Sequence, residues 1–234
     1  APNATASGPM KDSVTGVDTA VTLTVATVRV RYESTTGVPA AATDAGATFL
    51  GYVDFSTALP HSLALNANDT FTYSFSGLDP TSEYEFAGTA CRGQSTYTNR
   101  WTLITITGAD SFTAAHSSGV GIITSGLAAN QVALWTGDNS QSDQGFIAQW
   151  IEIDPGADGT FSVVSSQYTG STGTVGSGTA NGSKGYGLNG IRLKESFVPG
   201  QSTIHNRPAT AVRPTSARRS GDVPHPGTRP PTPP

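Results

Sequence analysis

The side chains best suited to chemistry gather in two polar loops. The first, Arg92-Gly-Gln-Ser-Thr-Tyr97-Thr-Asn99-Arg100-Trp101, interleaves aromatic rings with amide and guanidinium groups. A ring exposed beside such groups can stack on the apolar face of a pyranose while they read its hydroxyls. Arg92, Tyr97, Asn99, Arg100 and Trp101 are therefore the candidate ligand-binding residues. Tyr97 lies in mid-loop and is the expected exposed ring. Trp101 has two readings: it lines the site, or it begins a core strand while Arg100 closes a salt bridge at the sheet edge. Trp135 and Trp150 are flanked by apolar residues and are expected in the core. The second loop, Thr136 to Gly145, carries Asp138, Asn139 and Asp143. Calcium takes about six to eight oxygen ligands, and closely spaced Asp and Asn can supply them. These three are the candidate metal ligands, for a structural calcium and no other cofactor. The competing reading is that Asx residues shape the turn unaided, and their spacing departs from an EF-hand. Asp154 and Asp158, around Pro155-Gly156-Ala157, read first as turn formers.

No catalytic residues are expected. The chain holds no Gly-x-Ser-x-Gly elbow, no His-Glu-x-x-His and no phosphate loop. Of the four histidines, His205 and His225 fall in the C-terminal tail, and His61 and His116 stand alone, without a partner at metal-ligand spacing. Glu83 and Glu85 alternate with Tyr84 and so share a strand face. A glycosidase pair must converge on a cleft, and these two read instead as a solvated face beside a turn. Asn68-Asp-Thr70 and Asn181-Gly-Ser183 match the glycosylation pattern, which is common by chance.

The elements that must position these loops centre on residues 70–107. Phe71, Tyr73 and Phe75 alternate with Thr70, Thr72 and Ser74, the period of a strand with one buried face. Gly77-Leu-Asp-Pro80 breaks the run. Tyr84 and Phe86 resume it, and Trp101-Thr-Leu-Ile-Thr-Ile-Thr107 is a third strand. Before this stretch, Val21, Leu23 and Val25 alternate with threonines. The parity changes at Ala26-Thr27, which predicts a bulge or two strands with a tight turn. Phe49 to Phe55 and His61 to Leu65 read as short strands, after a Gly37 to Gly46 loop. Downstream, Gly108 to Phe112 turns the chain, and residues 113–130 read as a long loop with one short strand near Val120–Ile123. Gln131–Trp135, the segment around Phe146–Ile153, the run after Phe161, and Tyr186–Lys194 supply further strands. Residues 169–185 are nearly all Gly, Ser and Thr and read as a flexible loop. The fold class expected is all-β: two packed antiparallel sheets, a jelly roll before a fibronectin-type sandwich.

Composition divides the 234 residues into parts. Nine of the fifteen prolines and five arginines lie in residues 199–234, with one acidic residue. The body before them has eight basic and sixteen acidic side chains. The expected organisation is an extended lead-in over 1–18, a β-sandwich domain over 19–195, and a disordered Pro/Arg-rich tail over 196–234. An acidic body argues against a nucleic-acid footprint. No apolar run reaches the roughly 18 residues of a membrane span. Cys91 is the single cysteine, so no internal disulfide is possible, and its apolar setting predicts a small buried hydrophobe. The sequence begins on Ala1 without a Met and reads as a mature or excised piece of something longer.

Leu78, Pro80 and Tyr84 have the Leu-x-Pro-x-x-x-Tyr spacing of fibronectin type III tyrosine corners, in which a phenol oxygen bonds back to the backbone. The wider order is FSGLDP…YEF, YTNRWT, GADSF, TGDN, IDPGADGTFSV and YGLNGIRLKE. Over about residues 12–195 it resembles an uncharacterised β-sandwich module of large secreted bacterial surface proteins, similar to galactose-binding-like, jelly-roll carbohydrate-binding domains. The resemblance implies a secreted or cell-surface, non-catalytic module that binds glycan or serves adhesion. A structural stalk or lattice subunit, self-associating through sheet edges, is the first alternative. An accessory domain of a secreted hydrolase is the second.

Overall fold

A computed structural model describes residues 4–28, 32–35, 37–55, 61–65, 68–92, 98–137, 145–171 and 185–196, with backbone alone for 32–35 and 61–65. Tyr97, Asp138, Asn139, Asp143 and the tail beyond Ser196 lie outside the described residues. The strands are β1 (Ala4–Lys11), β2 (Asp18–Val28), β3 (Tyr32–Thr35), β4 (His61–Leu65), β5 (Thr70–Ser76), β6 (Glu83–Thr89) and β7 (Trp101–Thr107). They continue with β8 (Ser111–Ala114), β9 (Ile122–Ile123), β10 (Gln131–Trp135), β11 (Ala148–Asp154), β12 (Phe161–Gln167), β13 (Gly185–Tyr186) and β14 (Gly190–Ser196). Among the described residues one helix, α1 (Asp44–Phe49), interrupts them.

The larger sheet has the order β1-β2-β5-β12-β7-β10-β9, and the smaller β14-β6-β11-β8; every pairing is antiparallel. A third, small sheet runs β13-β4-β3. The molecule is an all-β sandwich. Its core is filled by the inward residues of the two larger sheets. Phe71, Tyr73 and Phe75 of β5 and Ile104 and Ile106 of β7 meet Tyr84 and Phe86 of β6 and Trp150 of β11. Phe75 touches Phe86 across the layers at 5.8 Å between ring centroids, and Phe161 beside it at 4.9 Å. Burying such rings is the main driving force for closing one sheet on the other.

The central stretch therefore changes sheets twice, from β5 to β6 and back to β7. The first crossing is the expected corner. Gly77 takes φ 75°, and a Cβ there would lie 2.6 Å from the Ala20 carbonyl oxygen, so only glycine fits. The backbone N–H of Asp79 then donates to Tyr84 Oη at 2.7 Å. That bond holds the crossing against the first turn of β6.

Several local expectations are corrected. Residues 4–11 are a strand and not a lead-in: β1 pairs with β2 from Ala4↔Thr27 to Lys11↔Asp18. Its small polar residues hide the period because most of both faces is exposed. The parity change at Ala26-Thr27 is neither bulge nor turn, since β2 holds one register on β5 through Val28↔Thr70. Val28 keeps its outward parity and is 39% exposed. Phe49 to Phe55 is not a strand. The Thr43 hydroxyl caps α1 by accepting from Gly46 N at 3.1 Å, and Phe49 ends the helix. Phe49 and Phe55 pack edge-on beside Ala87, Cys91 and Ile147, in a second apolar cluster. A real bulge lies in β11, where Glu152 adopts φ 52° and the register shifts between Trp150 and Ile153. The extra residue returns Ile153 to the core side with Trp150. Among the described residues no helix is long and apolar enough to cross a membrane.

Candidate functional site

Three described members of the Arg92–Trp101 loop, Arg92, Arg100 and Trp101, turn inward. Trp101 opens β7 opposite Trp135 of β10 and is fully buried. Its indole stacks on that of Trp135 at 6.4 Å, with Tyr168 at the same distance. Of the two readings of Trp101, the core position is the one found, and no ring face is left there for a sugar. Arg92 is buried with its guanidinium 5.3 Å from the centre of the Tyr186 ring. The neighbouring Cys91 is clamped by Asn189, which accepts from its N–H and donates to its carbonyl, both at 2.9 Å. Arg100 is buried too and donates to Asn99 Oδ1 at 3.0 Å, while its carbonyl receives the N–H groups of Thr136 and Gly137. Asn99 alone of these four is partly open to solvent. Arg92, Arg100 and Trp101 are thus buried at the two ends of this loop. Long arginine stems bury readily when the head finds an aromatic face or an acceptor.

Trp135 and Trp150 are buried as expected. Asp154 accepts from Gly156 N at 2.9 Å, and Asp158 from Thr160 N and Oγ1, which makes both turn formers. Glu85 is occupied by Gln149 at 2.8 Å and Lys194 at 3.5 Å. His116 accepts from Gln149 N through Nδ1 at 3.0 Å and meets the Trp150 ring edge-on. Burial lowers its pKa to about 4, so it is neutral near pH 7. Burial pushes the Cys91 thiol up to about 12, in keeping with an inert apolar residue. Among the described residues no group of three His, Cys, Asp or Glu side chains is disposed to hold a metal.

A cleft of about 570 Å³ opens elsewhere, at the flank of the sandwich where the β1–β2 hairpin stands beside β14. Strand alternation builds its wall. Ile191 and Leu193 of β14 pack toward the core, and Arg192 and Lys194 project from the other face. Beyond α1, Gly51 takes φ 89° and turns the chain so that Tyr52 lies over this wall, 52% exposed. The Arg192 guanidinium sits 4.9 Å from the centre of the Tyr52 ring. Among the described residues no carboxylate lies within ion-pair distance of Arg192, whereas Lys194 reaches Glu85 and Lys11 pairs with Asp18. The opposite lip is the hairpin turn. Asp12 accepts from Thr15 N, Thr15 Oγ1 and Val14 N, and these hydrogen bonds hold its carboxyl below the ordinary range. Val14 and Val17 are exposed at the tip. The arrangement offers an accessible ring, a guanidinium fork fixed against it, and further charged groups along the rim.

Sequence reasoning missed Tyr52 and Arg192. The available signals were the glycine before Tyr52 and the basic residues alternating with apolar ones in Ile191-Arg-Leu-Lys194. Comparison of the chain with protein-family models, with curated proteins and with solved structures finds no match.

Proposed function

We propose that this sandwich is a non-catalytic carbohydrate-binding module of a secreted bacterial surface protein, of the jelly-roll, galactose-binding-like kind, and that its ligand lies in the Tyr52–Arg192 cleft. The observation that carries this reading is the half-exposed Tyr52 ring with a guanidinium held on it in an open cleft. A pyranose needs an apolar platform for its C–H face and fixed donors for its hydroxyls. Tyr52 supplies the first, and the five N–H groups of Arg192 supply the second. Because the cation–π contact already restricts Arg192, less side-chain entropy is lost when a sugar binds.

The test is thermal melting of the full chain against a panel of soluble polysaccharides, since a ligand specific for the folded state raises the midpoint. At least one glycan should shift it. Tyr52→Ala and Arg192→Gln should each abolish the shift while leaving the stability of the unliganded protein within about 0.5 kcal/mol of wild type, as surface changes do. No shift with any glycan, or a shift untouched by both substitutions, sinks the proposal.

A further inference from the structure

We propose that two copies of this chain associate through β1, antiparallel and two-fold symmetric about Ala6. A sheet edge presents a row of backbone N–H and C=O groups that another strand can pair with. Natural edges are protected by brevity, by charge or by proline. Among the described residues the edges differ sharply in this respect. β9 and β13 have two residues each, and β8 and β3 four. β14 is longer but carries Arg192, Lys194 and Glu195. Pairing β14 with itself about Leu193 would set Arg192 opposite the partner's Lys194, and like charges directly opposed are destabilising. β1 has no such protection over Ala4-Thr-Ala-Ser-Gly8, an uncharged run exposed from Ala4 to Ser7, before Pro9 and Lys11 close it.

The self-complementarity of that run selects a second copy as the occupant. Centred on Ala6, the pairing sets Thr5 opposite the partner's Ser7 and Ala4 opposite the partner's Gly8. No charge is opposed, and Thr–Ser pairs across strands are favourable. Both side chains lie on the exposed face, where Ser7 Oγ already meets Thr24 Oγ1 at 2.8 Å. The seven-stranded sheets of the two copies would join into one continuous antiparallel sheet, closed by the two-fold axis so that assembly stops at a dimer. Thr5 and Ser7 do not line the Tyr52 cleft, so this inference stands apart from the glycan reading.

Sedimentation velocity on the full chain tests it from about 1 μM to about 1 mM, the range of weak to moderate pairing. Wild type should pass from monomer to dimer within that range. Thr5→Lys with Ser7→Lys opposes lysines twice across the two-fold and should leave only monomer. Thr5→Lys with Ser7→Glu opposes lysine to glutamate in the same register and should restore the dimer. A wild type that stays monomeric throughout overturns the proposal. So does a dimer indifferent to the double lysine, or one that the charge-swapped pair fails to restore.

Discussion

The Tyr84 corner makes the crossing between the two sheets depend on one phenol oxygen. Tyr84→Phe keeps the buried ring and removes that atom. The loss is confined to the 2.7 Å bond from Asp79 N, because the contact back to the Asp79 carbonyl is 3.5 Å, too long to contribute. One such bond is worth about 0.5–1.5 kcal/mol, and a donor left without an acceptor costs about 1–3 kcal/mol. Asp79 is only half-buried, so water can partly replace the lost oxygen, and the expected loss is about 1–2 kcal/mol. For a domain of this size that corresponds to a fall in Tm of roughly 3–6 °C. Urea melts should show a lower midpoint at unchanged slope, because the surface exposed on unfolding is the same. There is a second signature. Burial raises the Tyr84 pKa above 10.0, so the unfolded state ionises first, and wild type loses stability as pH rises beyond 10.0. The gap between wild type and Tyr84→Phe should narrow there. A variant that melts within about 1 °C of wild type at neutral pH would refute the reasoning, since the corner would then contribute nothing.

Trp101→Ala should destabilise by about 3–5 kcal/mol, the usual cost of emptying a large buried aromatic site. The milder Trp101→Phe should leave glycan affinity unchanged by calorimetry, the opposite of Tyr52→Ala. His116 binds its proton more weakly folded than unfolded, so stability should fall as pH drops from 6.5 towards about 4. His116→Gln should flatten that limb of a stability-against-pH curve. The Cys91 thiol ionises at about 9 when unfolded and about 12 when folded, so stability should fall as pH rises between those values. Cys91→Ala should remove that part of the alkaline slope, and a thiol reagent should leave native Cys91 unlabelled until denaturant is added.

The larger elements were legible where one face is buried and the other is not. Phe71, Tyr73 and Phe75 announce β5 because a two-residue period has a single physical cause. The Leu78-Pro80-Tyr84 spacing likewise announces the corner, since the bond spans five residues and depends little on the rest of the fold. β1 was illegible because Ala, Thr, Ser and Gly on two exposed faces leave no period to read. Helix α1 was illegible for a related reason: it is six residues long, and its apolar side finds Ala87, Cys91 and Ile147 far along the chain.

Chemistry followed the same division. Residue types alone show that Arg92, Tyr97, Asn99, Arg100 and Trp101 could read a sugar, but burial is set by what packs over them. Trp101 went inside because Trp135 and Tyr168 meet it from strands and a loop distant in sequence. Tyr52 and Arg192, 140 positions apart, share a surface only because α1 and β14 pack side by side. Local order therefore determined the strands with one buried face, such as β5, together with the corner and the all-β class, since each rests on neighbours a few residues away. Which rings face water, and which charges stand together, was decided by long-range packing between sheets, where no local period carries the information.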